Sequence, residues 1–228
     1  MADVIGTLKE RSLHAVLKRY IQPDEGRHEV RVGRYVADIF DDNGITEIQT
    51  RQFYKMSKKL EFFLAEHRVT VVYPVSRTKW ISWMDPETGE TGKKRKSPKT
   101  GKKYEVFREL YAIKPLLTQP NLTVKVIMVD VEEYRLQDGW GRDGKRGSHR
   151  MERIPVALGE EYAITCRQDY RSFVPETLPE QFTVSEFAKA ATVSPAVAQK
   201  GLNVLKHMEA VEVCGKKGRA YLYQRTEL

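Results

Sequence analysis

A chain of 228 residues has room for one large domain, or for a medium one with a small one. Its make-up, 40% hydrophobic and 31% charged, excludes collagen-like, low-complexity and wholly disordered chains, and no apolar run reaches the ~18 residues of a membrane helix. Lys plus Arg number 39 against 31 Asp plus Glu, and the resulting +8 favours polyanionic partners.

Met1 to Glu10 lacks a basic end followed by an apolar stretch, so no secretory signal is expected. Thr7–Tyr20 reads as a helix, because Leu13, Val16, Leu17 and Tyr20 recur at helical spacing, and Pro23-Asp24-Glu25-Gly26 ends it. Glu29–Phe40 and Gly44–Thr50 read as strands joined at Asp42-Asn43-Gly44, where Asn-Gly supplies the positive φ of a tight hairpin. Gln52–His67 is a second helix, apolar at Phe53, Met56, Leu60, Phe63 and Leu64 and basic at Lys55, Lys58 and Lys59, and Val69–Val75 is a buried strand. A short strand is expected at Trp80–Met84, and Pro86–Lys103, rich in Gly, Pro, Thr and Lys, reads as a mobile or functional loop. Tyr104–Leu117 is of mixed character, Leu122–Leu136 reads as a strand, and Asp138–Arg150 as a second polar loop.

The last 60 or so residues differ in texture. Thr183 with Glu186 forms a capping box opening a helix at Val184–Ala191, and Ser194-Pro195 opens another, Ala196–Met208, striped by Val197, Leu202, Leu205 and Met208. Val211–Cys214 and Arg219–Tyr223 read as a hairpin around Gly215-Lys216-Lys217-Gly218, which gives a winged helix-turn-helix. The expected domains are therefore 1–165 and 166–228. Cys166 and Cys214 show neither zinc-ligand nor disulfide spacing, and the expected location is cytoplasmic.

With Asn43-Gly44 as the two-residue turn, paired residue numbers sum to 87, so Asp38 opposes Gln49 and Phe40 opposes Glu47. Asp38, Glu47 and Gln49 then project to one side, and Ala37, Ile39 and Ile48 to the other. As diagonal neighbours roughly 7 to 8 Å apart, the two carboxylates can share one hard cation. Glu10 is in phase with Leu13, His14 and Leu17 on the first helix and offers a third acid.

A helix bearing Glu, a strand hairpin bearing Asp and Glu-x-Lys, then a helix and a strand is the core of the PD-(D/E)XK nuclease superfamily, and Thr7 to about Val75 resembles it. The resemblance implies an α/β (α+β) fold, a mixed sheet flanked by helices as in restriction endonucleases. It also implies Mg²⁺ or Mn²⁺ held by Asp38 and Glu47 with the Ile48 carbonyl, and Glu10 as the helix acid. Gln49 stands in the lysine position, as in the Glu-x-Gln branch; it carries no charge, and Lys55 and Lys58 are the nearest replacements.

The expected partner is nucleic acid, DNA first. Lys93, Lys94, Arg95, Lys96, Lys99, Lys102 and Lys103 form a polycation suited to phosphates. The second loop, with Trp140, Arg142, Lys145, Arg146, His149 and Arg150, is diluted by Asp138 and Asp143. Gln199, Lys200, Asn203 and Lys206 lie on the expected outer face of the second C-terminal helix, and Lys216, Lys217 and Arg219 would set the hairpin on phosphates. The sequence thus reads as a metal-dependent nuclease delivered by a winged helix. The alternative is a non-enzymatic DNA-binding regulator or interaction protein with a vestigial nuclease fold; winged helices also serve as dimerisation modules, so a homodimer is a further partner to expect.

Overall fold

In the computed structural model, residues 12–140 and 146–226 are described. Glu10, Arg142, Lys145 and the side chains of Trp140, Arg146 and His149 lie outside this description. Helix α1 (Leu13–Ile21) is capped by Ser12, whose side chain accepts the Ala15 N–H, and Lys18 and Arg19 stand in its last turn, where the helix dipole favours cations. The expected strand 29–40 is instead a hairpin, β1 (His28–Val32) and β2 (Tyr35–Asp41), because Gly33 takes φ +58° and turns the chain back. Strand β3 (Gly44–Ile48) follows, then the 3₁₀ turn Phe53–Met56, helix α2 (Ser57–Leu64) and the long strand β4 (Val69–Met84).

Strand β3 pairs antiparallel with β2 and parallel with β4, so α2 is the crossover between two parallel strands. Strands β6 (Leu122–Trp140) and β7 (Arg146–Ile164) extend the mixed, seven-stranded sheet in the order β1-β2-β3-β4-β6-β7, with the two-residue β5 (Arg95–Lys96) pairing β4. The architecture is therefore mixed α/β, a sheet flanked by helices. Among the described residues no helix is long and apolar enough to cross a membrane.

The basic segment expected as a loop tracks back along β4: Met84 bridges Thr91, Trp80 pairs with Lys96, and the Ser97 N–H donates to the Lys79 carbonyl at 2.7 Å. The turn is made at Asp85-Pro86-Glu87-Thr88-Gly89, where the Asp85 carboxylate accepts the Glu87 and Thr88 N–H groups and Gly89 takes φ +73°.

By compactness the chain divides into two units, 1–26 with 76–101 and 128–160, and 27–75 with 102–127 and 161–228. This is not the consecutive division at 165 and 166, and the second unit shows why. Its C-terminal part comprises β8 (Gln181–Phe182), α4 (Val184–Ala191), α5 (Pro195–His207), β9 (Val211–Lys217) and β10 (Ala220–Arg225), with the sheet order β8-β10-β9. Helix α5 packs on the short helix α3 (Phe107–Leu110), and a Cβ on Gly201 would come within 2.8 Å of the Phe107 ring, so glycine permits the approach. Phe107 and Tyr104 meet Phe173 edge-on, and Tyr104 meets Phe187, tying 102–127 to the C-terminal residues through aromatic packing.

The hairpin that carries the acids depends on one residue. The only positive φ in its turn is that of Gly44, +112°, and Gly44 approaches Arg68 so closely that a Cβ would lie 2.3 Å from that carbonyl oxygen. Gly44→Ala is expected to cost about 3 kcal/mol or more in chemical denaturation, because both the dihedral and the space exclude a methyl group. A loss below about 1 kcal/mol would show that this turn is not held as described.

Candidate active site

The turn lies at Asp42-Asn43, and the β2–β3 ladder pairs Asp41 with Gly44, Phe40 with Ile45 and Ile39 with Thr46, so paired numbers sum to 85. Relative to the expected register, Asp38's partner moves by two residues. A two-residue shift preserves every side chain's face. It brings Asp38 opposite Glu47 instead of Gln49, closer than the diagonal expected from the sequence.

Beyond Ile39 and Thr46 the two carboxylates replace the ladder. The Asp38 N–H donates to Glu47 Oε1 at 3.3 Å, and the Ile48 N–H donates to Asp38 Oδ2 at 2.7 Å. The Ile48 amide, not the carbonyl expected as a metal ligand, is thus the group placed at the Asp38 carboxylate. On its other edge β3 is closed by β4, with Gln49 N–H donating to the Val72 carbonyl at 2.9 Å.

Glu47 is 5% exposed, and Lys59 of α2 donates to its Oε2 at 2.6 Å. The Lys59 ammonium also stands 5.6 Å from the Phe63 ring centroid. Burial, and after it the negative charge of Asp38, push the Glu47 carboxyl up to about 7 against the lowering effect of Lys59. The cation beside the acids is therefore Lys59, whereas Lys55 and Lys58 are exposed. A signal for this was present: Lys59 is in phase with Met56 and Phe63 inside the apolar stripe, and a cation there needs a buried partner. Gln49 does not stand in for lysine, since its amide donates to the Arg51 carbonyl at 2.7 Å.

Two opposed carboxylates face one ammonium, so the site holds more acidic than basic groups, and the charge of Asp38 adds to burial in raising Glu47. Hard oxygen donors with such an excess fit a divalent cation. Among the described residues no third His, Cys, Asp or Glu joins them, and Glu10 lies outside.

The basic residues fall into different settings. Lys93, Lys94, Arg95, Lys96 and Lys99 are exposed along the hairpin returning on β4, with Lys94 paired to Glu132 and standing over Trp80. Lys102 is half-buried, and Lys103 is enclosed: its ammonium lies 4.4 Å from the Tyr162 ring centroid and donates to the Ser172 carbonyl at 2.8 Å. On α5, Gln199 and Lys206 are exposed, but Asn203 accepts from Lys114 at 2.9 Å and Lys200 sits over Tyr111, so these two face the chain's own 111–116 segment. Lys216 and Lys217 lie on β9, Arg219 lies in the two-residue turn to β10, and all three are exposed.

A relative from Treponema pallidum (strain Nichols), an uncharacterized protein, is 28% identical over 222 residues, covering 97% of this chain and 87% of its own. No solved structure matches the chain at a significant level. A family model matches residues 11–165, a span that includes Asp38, Glu47 and Lys59 and ends where the sequence texture changes. The chain belongs to the family described as a domain of unknown function, DUF8091.

Proposed function

We propose that this protein is a nuclease that hydrolyses phosphodiester bonds at the Asp38, Glu47 and Lys59 site, on a restriction-endonuclease-like core with a C-terminal winged helix. The observation that carries the reading is the acidic pair on adjacent strands with a lysine directed at it from the crossover helix. It supports a Glu-x-Gln member of the PD-(D/E)XK superfamily in which α2 supplies the cation. Asp38 and Glu47 would hold Mg²⁺ or Mn²⁺, which supplies Lewis-acid polarisation of the phosphodiester and a water acidified for in-line attack. Lys59 brings a fixed positive charge to where negative charge gathers on phosphorus oxygens. The Ile48 N–H keeps the Asp38 carboxylate in place.

The test is cleavage of labelled single-stranded and duplex DNA and RNA with Mg²⁺ or Mn²⁺. Activity is expected in the wild type and a loss of 10² or more in Glu47→Gln. Cleavage by Glu47→Gln at the wild-type rate would overturn the assignment.

The exposed Lys216, Lys217 and Arg219 support phosphate contact by the β9–β10 hairpin. Each phosphate contact contributes about −0.9 to the slope of log affinity against log salt on duplex DNA. Replacing all three by Ala is expected to flatten that slope by roughly two to three. An unchanged slope, with sedimentation showing an altered oligomeric state, would assign the hairpin to dimerisation.

A further inference from the structure

The unit formed by 1–26, 76–101 and 128–160 contains a charged cluster that involves none of the acidic pair's residues. Glu133 on β6 is 1% exposed, and its two oxygens are taken by guanidinium groups, Arg135 Nε at 2.7 Å on Oε1 and Arg153 Nε at 2.8 Å on Oε2. The Lys79 ammonium on β4 lies 3.6 Å from Oε2. Burial alone would raise the Glu133 carboxyl, but the hydrogen bonds from Arg153 and Arg135 and the charges of Arg153 and Lys79 hold it at about 2. It is therefore a fixed negative charge.

One carboxylate facing three cations leaves two positive charges in excess, on side chains only 18%, 32% and 26% exposed for Lys79, Arg135 and Arg153. A purely structural ion pair is cheapest when charges balance, because each half-buried unpaired charge carries a desolvation cost. Arg77 on the same strand does not restore the balance. Asp130 takes its Nε and Nη2 at 3.0 and 2.8 Å and Glu160 its Nη1 at 3.1 Å, and among these described groups cations still lead four to three. Burial lowers the Lys79 pKa; the charge of Glu133 opposes this, and the nearby charges of Arg153 and Arg135 add to the lowering. An anion with several acceptor oxygens would relieve this, and guanidinium forks match the oxygen spacing of phosphate. The Arg135 guanidinium stands 5.8 Å from the Trp83 ring centroid, so an aromatic face adjoins the cations.

We propose that Lys79, Arg135 and Arg153, oriented by the buried Glu133, form a phosphate-binding site that takes a backbone phosphate of a nucleic acid. It requires no cleavage, so it stands or falls apart from the activity assigned to Asp38 and Glu47.

The test uses the full chain in EDTA, with inorganic phosphate and with a 20-nucleotide duplex as probes, in wild type, Arg135→Gln/Arg153→Gln and Lys79→Gln. Glutamine still donates to Glu133, and Lys79→Gln leaves both guanidinium groups in place. Because the site takes one phosphate, the double variant is expected to flatten the salt slope of duplex binding by about one and Lys79→Gln by a part of that, and both to lose thermal stabilisation by phosphate seen at matched ionic strength. If the double variant fails to fold, Lys79→Gln carries the test. Loss of the phosphate effect with an unchanged duplex slope would keep the site, assign it to a free phosphate group and overturn the backbone assignment. Unchanged slopes and an unchanged phosphate effect in folded variants would overturn the site itself.

Discussion

Lys59→Met is expected to lower turnover by 10² or more, and to destabilise the protein by about 1 kcal/mol more at pH 8 than at pH 5. Both effects stem from the 2.6 Å contact with Glu47, a side chain only 7% exposed. The sign follows from the raised carboxyl. A folded acid held at about 7 rather than 4.5 binds its proton more tightly than the unfolded chain does. Ionising it therefore costs stability progressively from pH 4.5 to 7, and in full above 7. Without Lys59 the carboxyl rises further and the cost keeps growing above 7, while at pH 5 Glu47 is protonated with or without its partner. Glu47→Gln in the Lys59→Met background should restore stability at pH 8 without restoring cleavage, since it removes the orphaned charge and not only its partner. Lys55→Ala and Lys58→Ala, both at exposed positions, should stay within a few-fold of wild type. Wild-type turnover in Lys59→Met, or a stability loss independent of pH, would sink this account.

Asp38 and Glu47 were legible as a pair because strand side chains alternate with period two, and a register error of two residues leaves faces unchanged. Their direct opposition was not legible, since it depends on whether Asn43-Gly44 or Asp42-Asn43 forms the turn. That is decided by the close approach of Gly44 to Arg68, a contact between residues distant in sequence. Caps were legible for the opposite reason. Thr183 and Glu186 bond reciprocally within one turn, the Ser194 hydroxyl accepts the Val197 N–H, and no distant residue is needed. The basic segment is irregular over most of its length, as its lysines and glycines imply; only its short pairing with β4 was not legible, because backbone hydrogen bonds ignore side-chain composition. Glu133 was hidden for a related reason: its partners Lys79 and Arg153 lie on two other strands, and only sheet order brings them together. The same holds for Lys200 and Asn203, whose outward position on an isolated helix is cancelled by the 111–116 segment packed there.

Asp38→Asn should reverse the order of stability between metal-free and metal-loaded protein. In EDTA the variant is expected to equal or exceed wild type above pH 7, because the charge of Asp38 is the second largest cause of the raised Glu47 carboxyl and asparagine removes it. The local backbone should survive, since the asparagine Oδ1 can still accept the Ile48 N–H that Asp38 holds at 2.7 Å. Burial is untouched, so Glu47 should fall toward the ordinary carboxylate range without reaching it. With Mn²⁺ the expectation inverts. A cation that binds only the folded state stabilises it by RT ln(1 + [L]/Kd), about 2.7 kcal/mol at a hundredfold excess over Kd. Asparagine offers a neutral oxygen where the cation needs a second charge, so wild type should gain this stabilisation and the variant should lose most of it, and the proposed nuclease activity with it. Melting curves at pH 8 with and without Mn²⁺ would show the crossing. Parallel shifts in the two proteins would mean that Mn²⁺ binds elsewhere and that Asp38 and Glu47 share no ion, whereas a crossing without any loss of cleavage would separate the metal site from the active site.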